Sequence, residues 1–150
     1  MSGTESGAVR AQYNTNSEIE TEALAAQLAQ TLRAGDVLAF RGGLGMGKTA
    51  FVRGLAAGLG IRSEVSSPSF ALVHEYHGTG LSLYHFDMYR VEDWTALDST
   101  GFFDYGEAGG ILAVEWSENI ENALPQDAIF ITIEATGENS RRILWERGEQ

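Results

Sequence analysis

One glycine-rich run, Gly42-Gly43-Leu44-Gly45-Met46-Gly47-Lys48-Thr49, constrains this chain more than any other stretch. It fits Gly-x-x-x-x-Gly-Lys-Ser/Thr, the phosphate-binding loop (Walker A) that joins a strand to a helix. Lys48 is the only lysine, and every other basic side chain, histidines aside, is an arginine. The one compact ammonium therefore stands where a triphosphate needs a point charge. The flanks agree with the loop. Asp36-Val37-Leu38-Ala39-Phe40 is a short apolar run of strand type, while Phe51, Val52, Leu55 and Leu59 repeat at helical spacing.

Each part of the loop has a physical task. Glycines accept positive φ and let the backbone approach phosphate without a Cβ in the way. The amides of Leu44, Gly45, Met46 and Gly47 are then expected to point into one nest, made more positive by the start of the following helix. Lys48 is expected to reach the β- and γ-phosphates, and the Thr49 hydroxyl to hold Mg²⁺. The expected cofactors are thus ATP and Mg²⁺.

A length of 150 residues suits one domain with a real core, and 43% hydrophobic residues is ordinary for a soluble chain. No apolar stretch is long enough to span a bilayer, and Met1–Gly7 lacks the basic-then-apolar pattern of a secretion signal. The chain has no cysteine, which removes disulfides and thiolate metal sites and suits a cytoplasmic location. A formal charge of −11 argues against extensive direct contact with nucleic acid and for a protein partner or plain solubility. A phosphate site remains compatible with that charge, because screening confines surface fields to about 8 Å at physiological salt.

Residues 1–14, rich in Ser, Gly, Thr and Gln, read as a flexible tail ahead of a phosphate-loop ATPase domain over 15–150. Thr15-Asn16-Ser17 caps a helix with an apolar stripe at Leu24, Leu28 and Leu32, ending near Ala34-Gly35. Strand 36–41, the loop and helix 48–59 follow, with Gly60 as the helix stop. Phe70–Tyr76 and Leu81–Asp87 are expected to pair antiparallel through the His77-Gly78-Thr79-Gly80 turn. A helical patch over Val91–Leu97, a glycine-rich loop over Gly106–Gly110, a buried strand over Ile111–Trp116 and strands at 128–135 and 141–146 complete the chain. The fold class this implies is α/β: a single domain like those of phosphate-loop NTPases, with a mixed, partly parallel sheet flanked by helices.

Two of these strands end in an acid. Ligands of open α/β sheets bind beyond the carboxyl ends of the strands, so Glu115 is expected to face the phosphate site and hold Mg²⁺ through water. Asp87 closes Leu81–Asp87 in the same way. Ser67-Pro68-Ser69 lies where nucleotide hydrolases sense the γ-phosphate, and on pattern alone it is a proline turn. His74, His77 and His85 share no periodic face and read as packing residues rather than zinc ligands. No Gly-x-Ser-x-Gly elbow is present.

Four signatures then stand in one order: Gly-x-Leu-Gly-x-Gly-Lys-Thr (42–49), Ser-Pro-Ser-Phe (67–70), His-Phe-Asp-Met-Tyr-Arg (85–90) and Val-Glu-Trp (114–116). Together they resemble the TsaE family, formerly YjeE, of bacterial ATPases in tRNA threonylcarbamoyladenosine biosynthesis, from about Ser17 to about Leu144. The resemblance implies an ATPase that does not itself modify tRNA. It implies partners, TsaD-like and TsaB-like proteins, that place a threonylcarbamoyl group on an adenosine of tRNAs reading codons that begin with A. ATP use would support their repeated turnover. The resemblance further makes Lys48, Asp87 and Glu115 catalytic and Thr49, Glu115 and Asp87 partners of the metal. Glu18 would approach the adenosine, and Arg141, or Arg142 if the register slips by one, would approach phosphate or ribose. Departures from the family pattern are Gly43 where an acid is usual, Ala50 where a second Thr is common and Ser69 in place of Thr.

Two other readings compete. A small-molecule kinase would need an Arg-bearing lid over the γ-phosphate, and the one adjacent arginine pair, Arg141-Arg142, falls in an expected strand. A nucleotide-dependent interaction module would need ATP binding without hydrolysis. A guanine-specific switch is a third, weaker reading, since the usual Asn-Lys-x-Asp base reader cannot exist with the only lysine already in the loop.

Overall fold

Four apolar runs too short for helices become parallel neighbours in the middle of a seven-stranded sheet, in a computed structural model that describes residues 9–41, 47–62, 73–88, 91–107 and 109–148. In chain order the elements are β1 (Val9–Thr15), α1 (Glu18–Ala29), β2 (Val37–Phe40), α2 (Lys48–Gly58), β3 (Val73–Tyr76) and β4 (Leu83–Asp87). Then come α3 (Trp94–Ser99), α4 (Phe102–Glu107), β5 (Ile111–Glu115), a 3₁₀ helix (Ser117–Ala123), β6 (Ile129–Ala135) and β7 (Arg141–Arg147). The strand order is β1-β7-β6-β2-β5-β4-β3. β6, β2, β5 and β4 run parallel, while β3 at one edge and β7 and β1 at the other are antiparallel.

Every residue of β2 and β5 is buried, which demands cover on both faces of the sheet. Alternation along the strands sorts their side chains. Leu38, Phe40, Leu83, Ile111, Ala113 and Ile131 face a core shared with α1 and α2. Tyr84, Phe86, Leu112 and Val114 face a second core built with Leu97 of α3, Phe102 of α4 and Ile120 of the 3₁₀ helix.

Local chemistry sets the helix starts. Ser17 caps α1 by accepting the Glu20 amide at 3.1 Å, and Glu20 reaches back to accept the Asn16 amide at 2.7 Å. Asp93 caps α3 through the Ala96 amide at 2.8 Å, so that helix begins three residues after Val91, which is buried outside it. Gly60, at φ 80°, turns the chain just past α2.

The expectation of a flexible tail over residues 1–14 is corrected from residue 9 onward. Val9–Thr15 is a strand in register with Arg147–Arg141. Tyr13 packs on the core, Thr15 is buried, and Gln12 and Asn14 face solvent. Two further elements differ from expectation. α4 forms ahead of the glycine-rich stretch because Phe102 docks into the second core, and the 3₁₀ helix buries Ile120 there too. Residues 42–46 and 63–72, which carry most of the phosphate loop and the Ser67-Pro68-Ser69 turn, lie outside the described residues, as do Tyr89 and Arg90.

α1 and α2 pack unusually close, through Gly54 and Gly58 on one face of α2. A Cβ on Gly54 would lie 2.2 Å from the Glu22 carbonyl oxygen, and one on Gly58 would lie 2.5 Å from that of Ala26. Both obstacles are backbone, so the helices would have to separate. Gly54→Ala and Gly58→Ala are each expected to cost about 1–3 kcal/mol by overpacking, although Ala is the better helix former by ~1 kcal/mol. A lowered urea midpoint at unchanged slope is the measurement.

Candidate active site

The parallel strands end on one side of the sheet, and α2 begins there. Gly47, at φ 94°, caps α2 without a side chain, and no acid occupies its first turn. The first amides and the positive end of the helix dipole thus face the place where an anion would bind. Lys48 opens α2 with only 7% of its surface exposed, and Thr49 follows half-buried. Burial pushes the Lys48 ammonium below the usual lysine range, while Glu115 and Glu118 pull it part of the way back.

Strand alternation delivers two carboxylates to this end. Asp87 and Glu115 are register partners on neighbouring parallel strands. Each lies an even number of residues from positions that face α1 and α2, namely Leu83 on β4 and Ile111 and Ala113 on β5. Glu115 is 1% exposed, and its Oε2 lies 2.6 Å from Nε2 of His85, an equally buried imidazole. Its other oxygen, Oε1, has no hydrogen-bond partner among the described residues, and neither has His85 Nδ1. Buried carboxylate oxygens are seldom left so, because desolvation is costly. Immediately after Glu115 the chain bends through Trp116 at φ 60°, a left-handed conformation that costs a non-glycine residue roughly 1–2 kcal/mol. The bend starts the 3₁₀ helix and brings Glu118 close enough to act on Lys48.

The antiparallel edge supplies the remaining candidates. β7 runs back from the carboxyl end of the parallel strands, so its first residue, Arg141, starts at the site. Its side chain lies over Gly47: a Cβ built there would be 3.3 Å from Arg141 Nε. Nη1 donates to the Ser140 carbonyl at 2.8 Å and, at longer range, to those of Gly137 and Glu138, whereas the buried Nε has no partner among the described residues. Arg142 instead pairs with Glu134 at 3.2 Å. Glu18 starts α1 at the same end, 72% exposed at its side chain and 3.7 Å from Arg53 of α2, which also bonds Glu22.

The structure therefore gathers Lys48, Thr49, Asp87, Glu115, Glu18, Gly47 and Arg141 at one end of the sheet. Leu44, Gly45 and Met46 lie outside the described residues. Two site residues escaped the sequence reading. His85 was grouped with His74 and His77, which bond Tyr76 and Ser82 elsewhere. The missed signal was its spacing of two from Asp87, which puts both on one strand face. The strain at Trp116 left no signal in its residue type.

The protein family described as "Threonylcarbamoyl adenosine biosynthesis protein TsaE" matches residues 15–143. A protein of Bacillus subtilis called "tRNA threonylcarbamoyladenosine biosynthesis protein TsaE" is 41% identical over 131 residues, covering 87% of this chain and 82% of its own. A protein of the same name from Aquifex aeolicus is 44% identical over 131 residues, covering 85% of this chain and 89% of its own. Among solved structures, the crystal structure of Bacillus subtilis YdiB superposes with a TM-score of 0.79 at 35% identity, covering 94% of this chain and 87% of that one.

Lys48 offers a direct check on the site's electrostatics. Its folded pKa is lowered, so the unfolded chain binds the proton more readily. The resulting stability penalty is complete below the folded value and fades as pH rises toward the unfolded one. Lys48→Met should therefore raise the melting temperature of the nucleotide-free protein at neutral pH, with the advantage shrinking in alkali. The same variant should bind ATP about ten- to a hundredfold more weakly, the loss of roughly 1.5–3 kcal/mol expected for a charged hydrogen bond. Thermal melts across pH and isothermal titration with ATP measure the two effects.

Proposed function

Because the chain belongs to the TsaE family of threonylcarbamoyl adenosine biosynthesis proteins, we propose that it is a Mg²⁺-dependent ATPase serving that tRNA modification. It would act in the cytoplasm with TsaD-like and TsaB-like proteins and sustain their repeated turnover. The observation that carries this reading is that Lys48, at the start of α2, feels the charge of a buried Glu115 whose Oε1 has no partner among the described residues and whose register partner is Asp87.

These residues fit a hard divalent cation. Thr49, Asp87 and Glu115 offer oxygen alone, and Glu115 Oε1 is a desolvated acceptor awaiting a partner. Among the described residues no group of three or more His, Asp or Glu side chains could hold a metal unaided. That suits Mg²⁺, which keeps several waters and arrives with the phosphates. Bound there, it would neutralise charge on the β- and γ-phosphate oxygens.

The chain's own residues would do the remaining work by position. The α2 amides and Lys48 would fix the phosphates, and Arg141, whose Nε has no partner among the described residues, would lie above Gly47 and donate to phosphate or ribose. Thr49 and Glu115 would orient the metal's oxygens, and Glu18 would border the adenosine. Asp87 would orient the water whose oxygen bonds to the γ-phosphorus as the bond to the bridging oxygen breaks. ADP departs with that electron pair, and the water's protons pass to phosphate and solvent.

Two placements support an ATPase over a kinase and over a nucleic-acid binder. Arg141 is tied to carbonyls at the start of a strand rather than carried on a lid. Arg10, Arg142 and Arg147 each pair with a carboxylate, at 2.7, 3.2 and 3.2 Å, so these arginines are matched within the fold. No helix among the described residues is long and apolar enough to cross a membrane.

Asp87→Asn separates binding from chemistry. It keeps size and removes charge, so ATP should bind within about threefold of wild type while turnover falls by about two to four powers of ten. With purified TsaD-like and TsaB-like proteins, the variant should support one round of tRNA modification and fail at repeated rounds. Wild-type ATPase activity in Asp87→Asn, or a wild-type chain that associates with neither protein with or without Mg-ATP, would refute the reading.

A further inference from the structure

The geometry points to His85 as a positioning residue that sets which oxygen of Glu115 serves the nucleotide's metal: Nε2–H holds Oε2 and leaves Oε1 to face the site. This rests on the reading that Glu115 serves a metal-bound triphosphate, and it adds a residue that the reading does not use.

The argument begins with the strand register. His85 lies opposite Ala113, whose methyl group leaves room above the sheet. The imidazole can therefore lean along β5 to Glu115, two residues further on, and it meets Oε2 at 2.6 Å. Both side chains are 1% exposed, so water is not available to replace either partner. An ionised carboxylate only accepts hydrogen bonds, so the imidazole must present Nε2–H toward it, and Nδ1 is then an acceptor. Nδ1 has no hydrogen-bond partner of either kind among the described residues.

The consequence concerns freedom that Glu115 would otherwise have. The terminal torsion of a glutamate is broad, and a buried ammonium stands nearby: Glu115 is the larger of the two charges acting on Lys48. A carboxylate able to swing would close on Lys48 and take it from the phosphates. One bond to His85 fixes the carboxylate plane and commits Oε2, so Oε1 alone remains for the metal's water shell. Partners of this type behind a metal-binding group typically account for ten- to a hundredfold in metal affinity. A histidine that merely filled space would not need a donor aimed at a carboxylate.

The test compares His85→Gln, whose side-chain amide sits near the position of Nε2, with His85→Leu, which fills space without a donor. Mn²⁺ affinity of the ADP-loaded protein, read by electron paramagnetic resonance, should fall about tenfold or more in His85→Leu and return to within about threefold of wild type in His85→Gln. ADP affinity measured in EDTA should stay within about twofold throughout, since the phosphate loop is untouched. Wild-type Mn²⁺ affinity in a folded His85→Leu, or equal loss in both variants, overturns the proposal. Should His85→Leu fail to fold, nitrogen-15 spectra of the wild-type imidazole decide: Nε2 must carry the proton, and a lone pair on Nε2 overturns the proposal. Failure of the wild type to bind Mn²⁺ with ADP would instead remove the nucleotide reading, and the nitrogen spectra would still judge the His85–Glu115 bond.

Discussion

A buried lysine and a buried glutamate, Lys48 and Glu115, stand at one end of a parallel sheet, and the elements around them have to accommodate both. Withdrawing either ion from water costs several kcal/mol, and mutual attraction repays this only with good geometry and extra hydrogen bonds. Attraction between Lys48 and Glu115 is present, yet it does not cancel the effect of burial on the lysine. Lys48 opens a helix in backbone contact with its neighbour, and Glu115 has a residue at positive φ after it and an imidazole beside it. A chain selected only for stability would place an apolar pair here, and departures of this kind are characteristic of functional sites.

Topology explains how residues from positions 18 to 141 converge. The parallel strands β2, β4 and β5 supply their carboxyl ends. β7 turns back from β6 and so contributes its first residue, Arg141, at that same end. β1 runs opposite to β7 and finishes there too, where it hands the chain to α1. The buried contact between Thr15 and Thr21, 2.7 Å between hydroxyls, pins that handover. A mixed sheet thus achieves what an all-parallel one could not: strands running in both directions bring candidate residues to one end of the sheet.

The legible parts of this arrangement were those encoded locally. The start of α2 at Lys48, the apolar run at 111–115 and the Ser17 cap each announce themselves within a few residues, and Asp87 and Glu115 end their strands as the sequence predicts. β1 was illegible because its inward positions, Ala11, Tyr13 and Thr15, are only weakly apolar, and its partner is more than a hundred residues away. Composition suggested a tail where pairing makes a strand. His85 was missed for a related reason. Its role depends on the neighbouring strand's register, opposite Ala113 and diagonal to Glu115, which no single-strand pattern reveals. α4 was missed because Phe102 starts it on docking grounds rather than by helix propensity.

The pairing of β1 with β7 also orders events while the chain is being made. Residues 9–15 emerge from the ribosome early but have no strand to join until 141–147 follow. Once β5 has been made, and before β7 follows, the helix pair and both carboxylates can assemble without Arg141 over Gly47. At that stage the end of the sheet that carries Lys48 and Glu115 would be open on one side, and only the arrival of β7 closes it. Such long-range closure is slow compared with helix formation, so this end of the sheet is finished only after β7 has been made and has found β6 and β1.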